Sequence, residues 1–174
     1  MLYNTSGTRN TAVGNSSLQN NSTGTLNSAF GLYSLLYNTS GINNTAVGAS
    51  SLFFNTTGYA NNAFGQNSLF NNSSGYANSA FGRSSLYNNL VGDFNCAFGN
   101  YSLFSNFTGN NNSAFGTYAL YSSTTNNNSA FGYKALYANT IGTSNASFGN
   151  LALTNNTTGN NNSCLLYTSD AADE

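Results

Sequence analysis

A repeat of seventeen residues runs through nearly the whole chain, and it limits the possible folds more than any other feature. It is easiest to follow at a glycine that comes directly after Phe or Val, where seven of the eight spacings are seventeen residues and one is sixteen. Seventeen residues are too few for the helix pair of a helical repeat protein. The abundant Gly, Asn, Ser and Thr also disfavour helix. The repeat therefore predicts stacked β-structure. The glycines are Gly14, Gly31, Gly48, Gly65, Gly82, Gly99, Gly116, Gly132 and Gly149.

Each repeat begins at an Asn, and we number its positions 1 to 17 from that residue. The consensus is N-x-A-(F/V)-G-x-x-(S/A)-L-(Y/F)-x-N-x-(T/S)-G-x-x, with Leu at position 9 of all nine repeats. The short repeat spans residues 112–127, where Ser123 replaces the usual Asn of position 12 and the turn lacks its glycine. The deletion therefore falls in or beside a turn. The opening residues are Asn10, Asn27, Asn44, Asn61, Asn78, Asn95, Asn112, Asn128 and Asn145.

The pattern within a repeat predicts two short strands, at positions 2–4 and 8–10, each followed by a turn that contains glycine. Asn-Gly, the strongest short hairpin signal, does not occur in the sequence. We therefore predict an all-β fold, a parallel β-solenoid with one coil per repeat. The rival interpretation is an Asn-rich, low-complexity chain without a unique fold. The constant Leu and Gly argue against that rival.

Stacking is required for stability, because a single coil is too small to fold. Burying one Phe and one Leu contributes roughly 3–6 kcal/mol, whereas ordering seventeen backbone residues costs at least about 17 kcal/mol. In a stack, like residues form columns, and the Asn columns at positions 1 and 12 are expected to form amide ladders that satisfy turn carbonyls. The predicted core combines positions 4 and 9: Phe30, Leu35, Phe64, Leu69, Phe81, Leu86, Phe98, Leu103, Phe115, Leu120, Phe131 and Leu136.

If positions 4 and 9 face inward, positions 3, 8 and 10 are expected to face outward, and position 10 forms an aromatic stripe. An exposed apolar stripe of this length usually marks an interface. We therefore expect a homo-oligomer, with a trimer favoured, to cover it. The predicted interface stripe is Phe53, Phe70, Tyr87, Phe104, Tyr121 and Tyr137.

The chain divides into four segments. Residues 1–9 match the end of a preceding repeat, residues 10–161 are nine tandem repeats, and residues 162–163 open a tenth. Residues 164–174, CLLYTSDAADE, break the pattern. They resemble a translated reading frame of the transposase adapter used in shotgun DNA sequencing, so we expect that they are not native and that the chain is a fragment.

The runs Asn27–Gly31, Asn44–Gly48 and Asn112–Gly116 carry a resemblance to a known class. They resemble the NTAVGxxALxxNTTG repeats of bacterial and phage tail-fibre-like surface proteins, over residues 2–163. A looser similarity is to the head repeats of trimeric autotransporter adhesins. The resemblance implies a rod that holds a binding tip away from a surface, outside the cell or on a virion.

The composition excludes most other functions. Charged residues make up 4% of the chain, where about 25% is usual, and there is no His. A catalytic triad or a paired-carboxylate site lacks its residues, so we expect no enzyme, cofactor or metal site. Because the net charge is near zero, we expect no nucleic-acid binding. Membrane insertion is not expected either. Arg83, Lys134 and Asp93 are interpreted as surface charges, and Cys96 as a substitute for Ser.

Asn-x-(Ser/Thr) recurs at position 12 and has two interpretations beside the fibre. The motifs are candidate glycan acceptors in a secreted eukaryotic protein, although turn chemistry explains them more simply. Asn and Thr columns, such as Asn55 with Thr57 and Asn106 with Thr108, also suggest an ice-binding array. We also consider weak contact with cell-surface glycans. The candidate acceptors are Asn21, Asn38, Asn55, Asn72, Asn106 and Asn156.

Overall fold

The computed structural model describes residues 3–166 and has ten short parallel strands in one sheet. Strand order follows chain order, and each strand pairs with the same three positions of the next repeat. One coil therefore forms per repeat, and the predicted parallel β-solenoid is confirmed. The strands are β1 Thr11–Val13, β2 Ser28–Phe30, β3 Thr45–Val47, β4 Asn62–Phe64, β5 Ser79–Phe81, β6 Cys96–Phe98, β7 Ser113–Phe115, β8 Ser129–Phe131, β9 Ala146–Phe148 and β10 Ser163–Leu165.

Each coil has one strand, and the second strand predicted at positions 8–10 is wrong. The backbone angle φ alternates in sign along this segment, because it is positive at positions 7 and 9, as at Tyr33 (58°) and Leu35 (50°). Left-handed backbone is uncommon for residues with a Cβ. Here it turns the chain tightly enough to close a coil of only seventeen residues.

The positions between the strands still bond from coil to coil. Leu35 N donates to Ser51 O at 3.0 Å, and Tyr37 N donates to Phe53 O at 3.0 Å. Tyr33 N donates in the opposite direction, to Asn15 O at 3.0 Å. The stack is therefore held by backbone hydrogen bonds on more than its strand side, which satisfies the amides of a narrow solenoid.

The core consists of Leu at position 9 and Ala at position 3. Leu69, Leu86 and Leu103 are fully buried, as are Ala63 and Ala80. The Phe half of the predicted core is wrong, because the position-4 side chains lie on the outer face of the sheet. Position 3 faces Leu across a coil interior too narrow for a Phe. The residues that were predicted in the core and lie outside it are Phe30, Phe64, Phe81, Phe98, Phe115 and Phe131.

The two glycine columns share one constraint, and position 5 has a second. An added Cβ at Gly65, position 5, would lie 2.6 Å from Gly82 O, and one at Gly58, position 15, would lie 2.6 Å from Asn72 Nδ2. Both glycines are therefore required by the approach of the next coil. Gly65 also has a φ of 132°, which other residues rarely adopt, whereas Gly58 has ordinary φ.

Strand pairing continues past residue 163 into the first residues of the predicted adapter-derived segment. Cys164 and Leu165 continue β10 and pair with Ser147 and Phe148 of β9. The rest of the predicted adapter-derived segment, residues 167–174, lies outside the described residues, as do residues 1–2. Among residues 3–166 there is no helix long and apolar enough to cross a membrane.

Candidate functional site

The polar side of each coil is built around a buried Asn at position 12. Asn72 Nδ2 donates to Asn55 Oδ1 of the preceding coil at 2.7 Å and to Gly75 O of its own turn at 2.9 Å. Asn72 Oδ1 accepts from Asn89 Nδ2 at 2.8 Å. One amide therefore closes its own turn and links three coils, as the sequence predicted for this column.

A second ladder at position 1 meets the first at the same carbonyl. Asn61 N donates to Asn44 Oδ1 at 3.0 Å, which links successive coils. Asn61 Nδ2 donates to Gly75 O at 2.7 Å, across the coil from the Asn72 bond. Each position-15 glycine carbonyl thus accepts two buried amide protons, as its two lone pairs allow. Both ladders are fully buried over most of the stack.

Burial of position 12 changes the interpretation of the sequons. Asn21, Asn38, Asn55, Asn72 and Asn106 are fully buried. Their amide nitrogens already donate within the ladder, as for Asn38 to Gly41 O at 3.1 Å. In the folded coil these nitrogens cannot carry a glycan, and Asn55 and Asn106 cannot contribute to an ice-binding array. Asn156, in the last full coil, is half-buried and makes the same bonds.

The outer face of the sheet carries two parallel rows. Within a strand, positions 2 and 4 point outward on either side of the inward Ala, as in Ser79, Ala80 and Phe81. The position-4 rings stack with centroids 4.5–4.9 Å apart and near-parallel planes. Phe115 and Phe148 of this stack are 36% and 41% exposed, and Phe30, which lies between Val13 and Val47, is 40% exposed. This face therefore has a bulky aromatic row beside a row of small side chains.

The predicted interface stripe at position 10 forms a second ring ladder. Its centroids are 4.9–5.2 Å apart, with near-parallel planes. Flanking rings pack against it, including Phe54 on Phe53 at 4.6 Å and Tyr118 on Tyr121 at 5.7 Å. The stripe residues are half-buried within one chain. The sequence analysis predicted the position-10 stripe, but it did not predict the flanking rings that cover the sides of the stripe.

Stacking determines which part of each ring meets solvent. Interior rings such as Phe81 and Tyr87 have a neighbouring ring on each face. Their edges therefore point outward, and their faces are covered. A ring edge carries the positive part of the aromatic quadrupole, whereas a flat stacking platform needs a free face. The ladders are suited to packing against a ridged surface.

The few charged groups do not converge. The Arg83 guanidinium carbon lies 5.7 Å from the Tyr101 ring centre, and Lys134 Nζ lies 5.3 Å from that of Tyr133. Asp93 Oδ1 accepts from the Tyr76 amide at 2.9 Å. The Asp93 charge, more than burial, raises the pKa of the Tyr76 phenol. Across residues 3–166, no three His, Cys, Asp or Glu side chains lie together as metal ligands would.

The short coil interrupts the position-12 ladder. Within the described chain, Asn106 Oδ1 is a buried acceptor without a hydrogen-bond partner. The reason is local, because Ser123 stands where an Asn would donate to it. Asn139 Nδ2 reaches Ser123 Oγ only at 3.5 Å. Asn112 Nδ2 instead closes its coil on Thr125 O at 2.6 Å, in place of a glycine carbonyl.

Comparison with protein-family models, with curated proteins and with solved structures finds no match to this chain.

Proposed function

We propose that this chain is a structural shaft segment of an extracellular fibre or adhesin, on a cell surface or a virion. Its role is to space or display a binding tip. The observation that carries the proposal is the pair of buried Asn ladders, in which amides such as Asn72 join each coil to the coils before and after it. Ten strands stacked about 4.8 Å apart have nine spacings, which make a rod about 43 Å long.

Several features support a mechanical role. Every regular coil repeats the same bonds, so an axial load passes from coil to coil through several hydrogen bonds and is not concentrated in one contact. The repeated runs such as Asn112–Gly116 resemble those of tail-fibre-like proteins. A homo-oligomeric shaft belongs to the same proposal. A trimer closed over the position-10 stripe is one form of it, and pairing through the outer face of the sheet is the alternative form.

Small-angle X-ray scattering on the full chain tests the shaft. We expect the distance distribution of a rod with a constant cross-section, and a compact spherical distribution would overturn the proposal. Asn72→Ala, which breaks one ladder, is expected to broaden the distribution, whereas Thr57→Ala, at an exposed turn residue, is expected to leave it unchanged. A glycan array separates the rival function, since strong binding by this segment would favour a glycan-binding solenoid.

A further inference from the structure

The outer sheet face, defined as positions 2 and 4 of strands β1 to β10, carries no charged side chain. Position 4 carries Val, Phe or Leu, and position 2 carries Thr, Ser, Asn, Cys or Ala. The charged side chains of residues 3–166 occupy other positions of the repeat. They are Arg9, Arg83, Asp93 and Lys134. A charged side chain at the centre of this face would oppose close packing, and positions 2 and 4 of the strands carry none.

The two rows of this face differ in height. Phe81 and its stacked neighbours form a ridge, and Ser79 with its column forms a groove beside it. Rotation by 180° about an axis parallel to the rod, within the interface, places the ridge of one copy over the groove of the other. The face is therefore complementary to itself in shape, which an isologous interface requires.

The spacing of the rings along the ridge also favours a second copy of this chain as the partner. The Phe ring edges recur every 4.5–4.9 Å over six coils. A surface that interdigitates with all of them needs the same rise per element, and a second stack of this chain has it. The face measures about 43 Å by 10 Å, so two copies would cover roughly 900 Å² in total. That area lies just below the usual limit of about 1,000 Å² for a specific interface.

We propose that two copies of this chain pair through their outer sheet faces, with the rods parallel and the aromatic ridge of each copy seated in the small-residue groove of the other. The pairing goes beyond the shaft proposal, since it would hold whether or not the rod displays a tip. Because the covered area grows with every coil, the segment dimerises weakly and a longer rod dimerises more tightly.

Sedimentation equilibrium on the full chain over a range of concentrations tests the pairing. We expect a monomer–dimer equilibrium. Ser79→Lys places a charge in the groove and is expected to weaken dimerisation at least about tenfold, since an unpaired buried charge is costly. Thr57→Lys adds the same charge at an exposed turn on another side of the coil and is expected to leave the equilibrium unchanged. Circular dichroism would verify that both variants fold.

The Cys96 thiol gives a second, independent measurement, because it is a free cysteine at position 2 of the same face. In a Cys164→Ser background, we expect maleimide labelling of Cys96 to slow as the protein concentration rises into the dimer range. A monomer at all concentrations, or a rate of Cys96 labelling that does not change with protein concentration, would overturn the pairing. A trimer unaffected by Ser79→Lys would also overturn it and would favour the position-10 stripe. The rod-like scattering of the monomer is a separate result, so the shaft proposal can survive either outcome.

Discussion

The turns that follow position 12 differ between the regular coils and the short coil. In a regular coil, two or three successive amides converge on one carbonyl of the next coil, as Thr39, Ser40 and Gly41 do on Thr56 O at 3.0–3.3 Å. From residues 107–109 to the short coil, no bond of this kind is present in the described structure. The shortened turn has therefore lost its bonds from the preceding coil and interrupts the position-12 ladder. Toward the following coil it keeps one backbone bond, from Thr124 N to Thr140 O at 3.4 Å.

The strand side of the same coil is undisturbed. Ser113 still pairs with Ser129, and Leu120 and Ala130 are fully buried. The two sides of a coil therefore have different structural roles. The sheet and the Leu column set the register of the stack, whereas the Asn turn adds stability and tolerates a deletion at the cost of its hydrogen bonds.

Adding a side chain at position 15 of a regular coil is expected to have the largest effect. In Gly58→Thr the new Cβ would lie 2.5 Å from Gly75 O, a backbone atom that cannot move alone. We expect a loss of about 4 kcal/mol or more in the free energy of unfolding, measured by urea denaturation. The short coil supplies the control, because Thr125 O already takes the glycine's role there.

Thr125→Gly is expected to lower the free energy of unfolding by no more than about 1–2 kcal/mol, mainly through loss of the bond from Thr125 Oγ1 to Gly142 O at 2.7 Å. Equal losses in Gly58→Thr and Thr125→Gly would contradict the distinction between the two turns.

Removing the ladder side chain is expected to have the next largest effect. Asn72→Ala leaves Asn55 Oδ1 buried without its donor and deletes the bond to Gly75 O, so we expect a loss of about 3 kcal/mol. Ser123→Ala deletes only the long 3.5 Å contact and should cost less than about 1 kcal/mol. Urea midpoints of the two variants, at unchanged slope, give the comparison. A costly Ser123→Ala would mean that the short coil retains a working ladder.

Repairing the short coil is expected to stabilise the chain. A variant with Ser123→Asn and a Gly inserted after Thr125 restores the Asn-Thr-Thr-Gly turn and gives Asn106 Oδ1 a donor. We expect a gain of about 1–2 kcal/mol in the free energy of unfolding. The matched control carries the inserted Gly alone, with Ser123 retained. If the control gains as much, the missing residue and not the orphaned acceptor is the source of the weakness.

The smallest expected effect is a pH dependence at the short coil. Burial, followed by the neighbouring tyrosines Tyr137, Tyr118 and Tyr101, raises the pKa of Tyr121 above its ordinary value of 10.0. The unfolded chain therefore loses this proton at a lower pH than the folded chain. Stability is unaffected below about pH 10 and falls as the pH rises above it. Tyr121→Phe should reduce this slope slightly in thermal melts at alkaline pH, and an unchanged slope would contradict the assignment.

The seventeen-residue repeat was enough to predict the solenoid, the number of coils and the position of the irregular coil. A strict repeat with Leu35 and its equivalents at one position requires like residues to stack, because a single coil cannot offset its own conformational entropy. The Asn ladders also followed from the sequence, since a column of identical amides can bond along its own length.

Tertiary structure alone decided which side of each strand faces inward. Alternation separates position 3 from positions 2 and 4, but it does not say whether Ala80 or Phe81 is inside. Residue size suggested Phe, and the narrow interior opposite Leu86 selected Ala. The left-handed backbone at Leu86 could not be predicted from the sequence either, because Leu has no intrinsic preference for that conformation. Closure of a seventeen-residue coil imposes both, and closure is a property of the whole stack.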